Sequence, residues 1–214
     1  MSKIVNIRGT SGSGKSTLVR QIMAQFTSVK PSHIAGRKRP ISYLCEREGL
    51  KPLIVIGHYE TDCGGTDTIP NMDEIYRRVR AAAGSGYNVL FEGLLSSAES
   101  RRTIELKQDG YDIRVVHIDI PLEECIASVE KRRAGAYQRK LQEYDEHVIE
   151  MQRLGKKPKK VLPKEPGPLN PKNTESKWKG TRSTVRRLEG AGIQTYKGDR
   201  EYAIGITRML LSES

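Results

Sequence analysis

The sequence is poor in the residues that build disulfide frameworks, metal clusters and membrane spans. Its 214 residues include only three cysteines, and Cys45, Cys63 and Cys125 lie far apart without any Cys-x-x-Cys pair. This spacing indicates neither a disulfide framework nor a zinc site. No run of 18 apolar residues occurs, and the stretch before the first strand pattern lacks the apolar segment of a signal peptide. We therefore expect a protein of a reducing cytoplasm, without a membrane partner.

Positive charge is abundant but is confined to one part of the chain. Residues 131–187 carry 17 Lys and Arg against 6 Asp and Glu, which accounts for the whole net charge of +11. A neutral core with one basic appendage is typical of a protein that binds a polyanion. The alternative is a lysine-rich loop that serves only solubility.

The most specific motif is a complete G-x-x-x-x-G-K-[ST] phosphate-binding loop at residues 9–16, which reads Gly-Thr-Ser-Gly-Ser-Gly-Lys-Ser. A strand-like run precedes it, and a run with apolar side chains on one helical face follows. In such a loop, backbone N–H groups and a helix N-terminus face the phosphates. We expect ATP to bind here, with Lys15 at the β- and γ-phosphates and the Ser16 hydroxyl on Mg²⁺. The predicted nucleotide contacts are Gly9, Thr10, Ser11, Gly12, Ser13, Gly14, Lys15, Ser16 and Thr17.

Strand-like runs alternate with helical patterns through the rest of the chain. Besides the strand before the phosphate loop, residues 53–57, 88–93, 113–119 and 193–196 are predicted as strands. This alternation predicts a three-layer α/β fold with a parallel five-stranded sheet, which together with the phosphate loop resembles the P-loop NTPase and kinase fold. A small hairpin that includes residues 41–45 is also indicated. The chain is expected to be a single domain, 1–214, with a basic helical and proline-rich insertion at about 131–187.

Three carboxylates are candidates for chemistry at the carboxyl ends of the strands, where ligands bind in such sheets. Glu92 ends an apolar strand and is expected to hold Mg²⁺ beside the phosphate loop; the alternative is a cap on the next helix. Asp62 lies in the glycine-containing loop after strand 53–57 and is the first candidate for a base that accepts a proton from an alcohol. Asp67 is the second candidate, and either aspartate could instead form an Asx turn.

Further side chains are expected around the same pocket. Arg132 and Arg133 follow the helix that begins near Pro121, where small phosphotransferases carry lid arginines. There they would stabilise charge on the transferred phosphoryl group; the alternative is a charged helix end. His58 and Tyr59 come directly after strand 53–57 and are expected to line the substrate pocket.

The basic segment has three parts. Apolar residues recur at spacings of three and four over residues 137–154, which predicts an amphipathic helix ended by Gly155. An extended, proline-rich stretch follows, and a second basic piece contains the only tryptophan, Trp178. This aromatic ring either stacks on an exposed base or anchors the segment as a hydrophobic plug. The candidate DNA contacts are Lys156, Lys157, Lys159, Lys160 and Trp178.

The phosphate loop, the strand that ends at Glu92 and the arginines after the fourth-strand helix identify the chain as a member of the P-loop kinase superfamily. Three segments resemble the phage kinases of DNA hypermodification: Ile-Arg-Gly-Thr-Ser-Gly-Ser-Gly-Lys-Ser, Gly-His-Tyr-Glu-Thr-Asp and Leu-Phe-Glu-Gly. The resemblance implies ATP-dependent phosphorylation of the hydroxymethyl group of 5-hydroxymethyluracil within phage DNA. For a phage-encoded protein, it also implies a place in the host cytoplasm.

Two other classes stay open on the residues alone. One is a kinase of free nucleosides or nucleotides, or of polynucleotide ends, although a small acceptor does not need a basic appendage. The other is a non-enzymatic, nucleotide-switched DNA-binding protein, in which the candidate carboxylates would have no purpose. No feature of the sequence specifies an oligomeric state.

Overall fold

One seven-stranded sheet forms the centre of the computed structural model, which describes residues 2–61, 64–94 and 97–212. The strand order across the sheet is β2-β3-β4-β5-β1-β6-β7. The phosphate-loop strand β1 therefore lies between β5 and β6, with Ile7 opposite Glu92 of β5. The strands are β1 (Lys3–Arg8), β2 (Ser28–Ser32), β3 (Ser42–Glu46), β4 (Leu53–Ile56), β5 (Asn88–Glu92), β6 (Asp112–Ile118) and β7 (Gln194–Gly198).

Helices cover both faces of the sheet and make a three-layer fold. They are α1 (Lys15–Met23), α2 (Met72–Gly84), α3 (Ser97–Gln108), α4 (Leu122–Arg153), α5 (Pro171–Gly190) and α6 (Arg200–Ser212). Alternate β1 residues supply the two cores: Val5 packs with α1 and α6, whereas Ile4 packs with α2 and with Leu188 of α5. In the described part of the chain, no helix is long and apolar enough to cross a membrane.

The expected purely parallel sheet of five strands is wrong in one respect, because the observed sheet is mixed. Strands β4, β5, β1, β6 and β7 pair in parallel, but β2 and β3 add an antiparallel edge next to β4. A parallel connection needs a crossover of a dozen or more residues, usually a helix. Only the nine residues between β2 and β3, and the six between β3 and β4, join these strands, so they pair as hairpins.

The helix after β6 also differs from the expectation. The predicted helix that begins near Pro121 and the predicted helix over residues 137–154 are one continuous helix, α4. Gly135 lies between the two predicted segments, but one glycine inside a helix costs only about 1 kcal/mol, which strong helix formers on both sides offset. Arg132 and Arg133 consequently lie within a helix and do not follow its end.

A strap, defined as residues 156–167, returns along α4. The Lys159 N–H donates to Nε2 of His147 (3.3 Å), and the Lys160 ammonium donates to the Glu143 carbonyl (3.3 Å). Farther along, the Arg133 guanidinium donates to the Gly167 carbonyl (2.9 Å). These contacts place the strap antiparallel to the second half of α4.

Trp178 fixes α5 to the end of β6. Its indole N–H donates to the Ile120 carbonyl (3.0 Å), and its ring packs against the core on the α1 and α6 side. The Arg182 guanidinium lies 3.5 Å from the ring centroid and forms an ion pair with Asp119 (2.8 Å). The ring is partly buried and covered by a cation, which favours the anchoring alternative over base stacking.

We expect Trp178→Ala to lower the free energy of unfolding by about 2–3 kcal/mol, somewhat below the cost of deleting a fully buried aromatic residue. Trp178→Phe keeps most of the packing and loses one hydrogen bond, so it should lower the same quantity by only about 1 kcal/mol. Urea unfolding of both variants measures this. A Trp178→Ala protein with unchanged stability and weakened binding to single-stranded DNA would instead assign the ring to base stacking.

Candidate active site

The phosphate loop lies between the end of β1 and the start of α1, as the sequence predicts. Gly12 and Gly14 have φ values of +85° and +103°, a region that only glycine adopts freely. A Cβ atom on Gly12 would lie 2.2 Å from the Cys125 carbonyl oxygen, in the first turn of α4. The loop is therefore wound directly against α4. Within the described residues, the Thr10 and Ser13 hydroxyls are buried without a hydrogen-bond partner.

Lys15 lies folded against its own loop. Its ammonium donates to the carbonyls of Gly9 (2.7 Å) and Thr10 (3.2 Å). Burial lowers the pKa of Lys15, and the carboxylates of Glu92 and Asp67 act in the opposite direction. The ammonium is thus held in a desolvated position close to two carboxylates, where it can exchange carbonyl partners for phosphate oxygens.

Glu92 ends β5 next to the phosphate loop and is almost fully buried. Burial raises the pKa of its carboxyl group, while the Lys15 ammonium and the Ser16 hydroxyl lower it. Gly65 packs so closely that a Cβ atom there would lie 3.1 Å from both carboxylate oxygens. Among the described residues, Glu92 Oε1 has no hydrogen-bond partner. A buried carboxylate oxygen without a partner, beside a hydroxyl, fits a divalent cation or its bound water.

A cavity of about 1110 Å³ opens at this edge of the sheet and is lined by nine of the predicted residues. Asp67, Glu92 and Arg132 line it together with residues of the phosphate loop and α1. Arg133 does not line it, because its guanidinium is directed to the strap. The phosphate-loop and α1 residues that line the cavity are Ser11, Gly12, Gly14, Lys15, Ser16, Thr17, Leu18, Arg20 and Gln21.

The loop after β4 carries the first candidate base, and Asp62 lies outside the described residues. The described residues on both sides of Asp62 are held by hydrogen bonds. Arg20 of α1 donates to the carbonyls of Tyr59 (2.9 Å) and Thr61, and His58 exchanges two backbone hydrogen bonds with Gly65 (3.1 and 2.6 Å). Residues 59–61 are therefore held against α1, the helix that carries Ser16 one turn before Arg20.

His58 and Tyr59 were expected to line the cavity, but the structure places neither side chain among its lining residues. His58 is buried, its Nε2 lies 3.2 Å from the Thr61 hydroxyl, and burial lowers the pKa of its ring, which favours the neutral form. Tyr59 is also buried, and burial raises its pKa well above the ordinary value. Both side chains are therefore buried beside the loop and do not face the cavity.

Two arginines at the site were not predicted from the sequence. Arg200, at the start of α6, donates to the Ser13 carbonyl (3.1 Å) and to Glu124 (3.2 Å). Arg20 holds the loop after β4, as described above. Both act on backbone carbonyls far away in the chain, and no local sequence signal marks such contacts. Lys177 of α5 also lines the cavity.

The fold and this site define a P-loop nucleotide-binding protein of the kinase type. Residues 4–155 match the AAA domain family. This match covers more than half of the chain, so the chain belongs to that family. This match confirms the P-loop kinase membership inferred from the sequence.

Curated phage proteins give a narrower relationship. The chain is 44% identical to a protein of Pseudomonas phage PaMx11 named 5-hmdU DNA kinase, over 98% of this chain and 97% of that protein. It is 27% identical to a protein of the same name from Pseudomonas phage M6, over 68% of this chain and 80% of that one. A third match, from Delftia phage PhiW-14, is 39% identical but covers 31% of this chain and 22% of that protein. The chain therefore belongs to the same family as the PaMx11 kinase, as the sequence resemblance implied.

Proposed function

We propose that this protein transfers the γ-phosphate of ATP to the hydroxymethyl group of 5-hydroxymethyluracil in DNA. The observation that carries the proposal is the convergence of Lys15, Glu92, Asp67 and Arg132 on one cavity, in a chain that is 44% identical to a 5-hmdU DNA kinase. The cations would bind the nucleotide phosphates, and the carboxylates would serve the metal and the acceptor.

On the nucleotide side, the phosphate loop would hold the β- and γ-phosphates, with Lys15 leaving the carbonyls of its own loop to contact them. The Ser16 hydroxyl and Glu92 would hold Mg²⁺, which neutralises charge on the phosphates when bound. Arg132 reaches the same cavity from α4 and would stabilise charge on the group in transfer.

On the acceptor side, the hydroxymethyl oxygen would attack the γ-phosphorus while the bond to the β-phosphate oxygen breaks and ADP leaves. The proton of the hydroxyl group would pass to Asp62, with Asp67 as the second candidate. The contacts of Arg20, Gly65 and Glu92 support this assignment, because they hold the described ends of the Asp62 loop at the cavity.

The polymer would be held outside the cavity. We propose that the chain is one domain in which residues 131–187 form a lid and DNA-binding insertion. The exposed lysines of the strap would contact the DNA backbone, and the acceptor base would reach the cavity from single-stranded DNA or after flipping from the duplex. The reaction would take place in the host cytoplasm.

Lys15→Ala should reduce phosphoryl transfer by about 10³-fold or more, the scale of a cation that stabilises the transferred phosphoryl group. The fold should survive, because Lys15 and Glu92 both line the open cavity, where water can replace the ammonium beside the carboxyl group. Transfer of labelled phosphate from ATP to hydroxymethylated DNA measures the loss. Lys107→Ala, at an exposed position of α3, is the control. Normal turnover in Lys15→Ala would contradict the proposed function.

Asp62→Asn should lower the turnover number by about 10²- to 10⁴-fold with little change in the KM for ATP, since a base acts on the acceptor. Glu92→Gln should instead raise the Mg²⁺ concentration needed for half-maximal activity. Steady-state kinetics with varied ATP and Mg²⁺ separates the two roles. An almost normal Asp62→Asn enzyme together with an inactive Asp67→Asn enzyme would move the base to Asp67.

Replacing Lys156, Lys157, Lys159 and Lys160 with Ala should weaken DNA binding and flatten its salt dependence. Each lost phosphate contact reduces the slope of log K against log salt by about 0.7–0.9. ATP affinity should not change, because the four lysines do not line the cavity. Fluorescence anisotropy at several salt concentrations gives the slope, and an unchanged slope would show that these lysines belong to a solvated linker.

A further inference from the structure

The strap presents apolar side chains to solvent in the middle of its positive charge. Val161 is 87% exposed and Leu162 is 60% exposed. Five exposed lysines lie within five positions of this pair: Lys156, Lys157, Lys159, Lys160 and Lys164. Exposed apolar residues among cations suit DNA, which offers phosphates to the lysines and sugar and base edges to the apolar side chains.

The same helix that carries the strap also reaches the cavity. Ser128 and Arg132 of α4 line the cavity, and the strap contacts α4 at Glu143 and His147. Glu143 comes eleven residues after Arg132 in one unbroken helix, which corresponds to about 17 Å along the helix axis. The separation between the catalytic cavity and the lysine-rich start of the strap, residues 156–162, is therefore set by a rigid element, whereas the other end of the strap returns to Arg133.

We propose that the lysine-rich start of the strap, residues 156–162, is a second DNA contact that engages the substrate at least about five base pairs from the acceptor base. Each base pair advances about 3.4 Å along the duplex, so the separation along α4 corresponds to about five base pairs, and a curved path takes more. The lysines bind the backbone at that point, and Val161 and Leu162 lie against the groove. This proposal rests on the proposed function, because it takes the acceptor to be a base within DNA.

The contact gives the enzyme a minimum substrate length. A substrate that ends closer to the acceptor base binds only through the cavity. A substrate that extends beyond the strap adds the lysine and apolar contacts. The dependence is one-sided, because the strap lies in one direction from the cavity.

The test uses two series of duplexes with one 5-hydroxymethyluracil. In each series one flank is long, and the other, 5′ or 3′, is shortened from 12 to 2 base pairs. We expect kcat/KM and DNA affinity to rise roughly tenfold between about 4 and 8 base pairs in one series, the order expected when several counterion-releasing contacts are gained together. The other series should be flat over this range.

Substitutions in the strap test whether the strap causes the rise in kcat/KM and DNA affinity. Lys159→Ala with Lys160→Ala, and separately Val161→Ser with Leu162→Ser, should remove the rise. Lys30→Ala with Lys107→Ala removes the same charge from exposed positions elsewhere and should preserve the rise.

Each other outcome overturns the proposal. Two flat series with normal phosphorylation of long DNA would refute the strap contact and leave the proposed function intact. A rise that persists in the strap variants would assign the length dependence to another surface. Absence of phosphorylation on hydroxymethylated DNA of every length would refute the proposed function, and the strap proposal with it. Stronger binding of the strap to an acidic peptide than to DNA would assign the surface to a protein partner.

Discussion

The proximity of the half-buried Lys15 ammonium to the buried Glu92 carboxylate is the constraint on which the rest of the site depends. An isolated charge in a partly desolvated position is unfavourable, and an opposite charge nearby offsets part of that cost. Their proximity requires β5 to pair directly with β1, so that Glu92 lies opposite Ile7 at the edge where the phosphate loop begins. The strand order of the sheet therefore determines that these two opposite charges lie close together.

The same arrangement prepares the loop for its ligand. Lys15 already occupies a desolvated position and donates to the carbonyls of Gly9 and Thr10. When phosphate oxygens replace these carbonyls, the ammonium exchanges weaker partners for charged ones without a new desolvation cost. The unpartnered Glu92 Oε1 and the buried Thr10 and Ser13 hydroxyls are polar groups for which a ligand supplies the missing contacts.

The sequence predicted what is encoded locally and missed what depends on distant contacts. The phosphate loop and the strand that ends at Glu92 follow from neighbouring residues, and the structure shows both of them. The hairpin that includes residues 41–45 was indicated and is observed as β2 and β3, but its addition to the main sheet beside β4 depends on how strands pair across space. The continuity of α4 depends on how flanking residues compensate for Gly135. Arg200 reaches Ser13 across most of the chain, and no sequence spacing marks such a contact.

The close packing of Gly12 on the Cys125 carbonyl gives α4 the properties of a lever. The helix has 32 residues and is about 48 Å long, with its first turn under the phosphate loop and its far end beyond the cavity. For a rod of this length, a tilt of about 5° at the first turn moves the far end by about 4 Å. A displacement of several ångströms at the far end therefore corresponds to a change of only a few degrees where the helix packs on the phosphate loop.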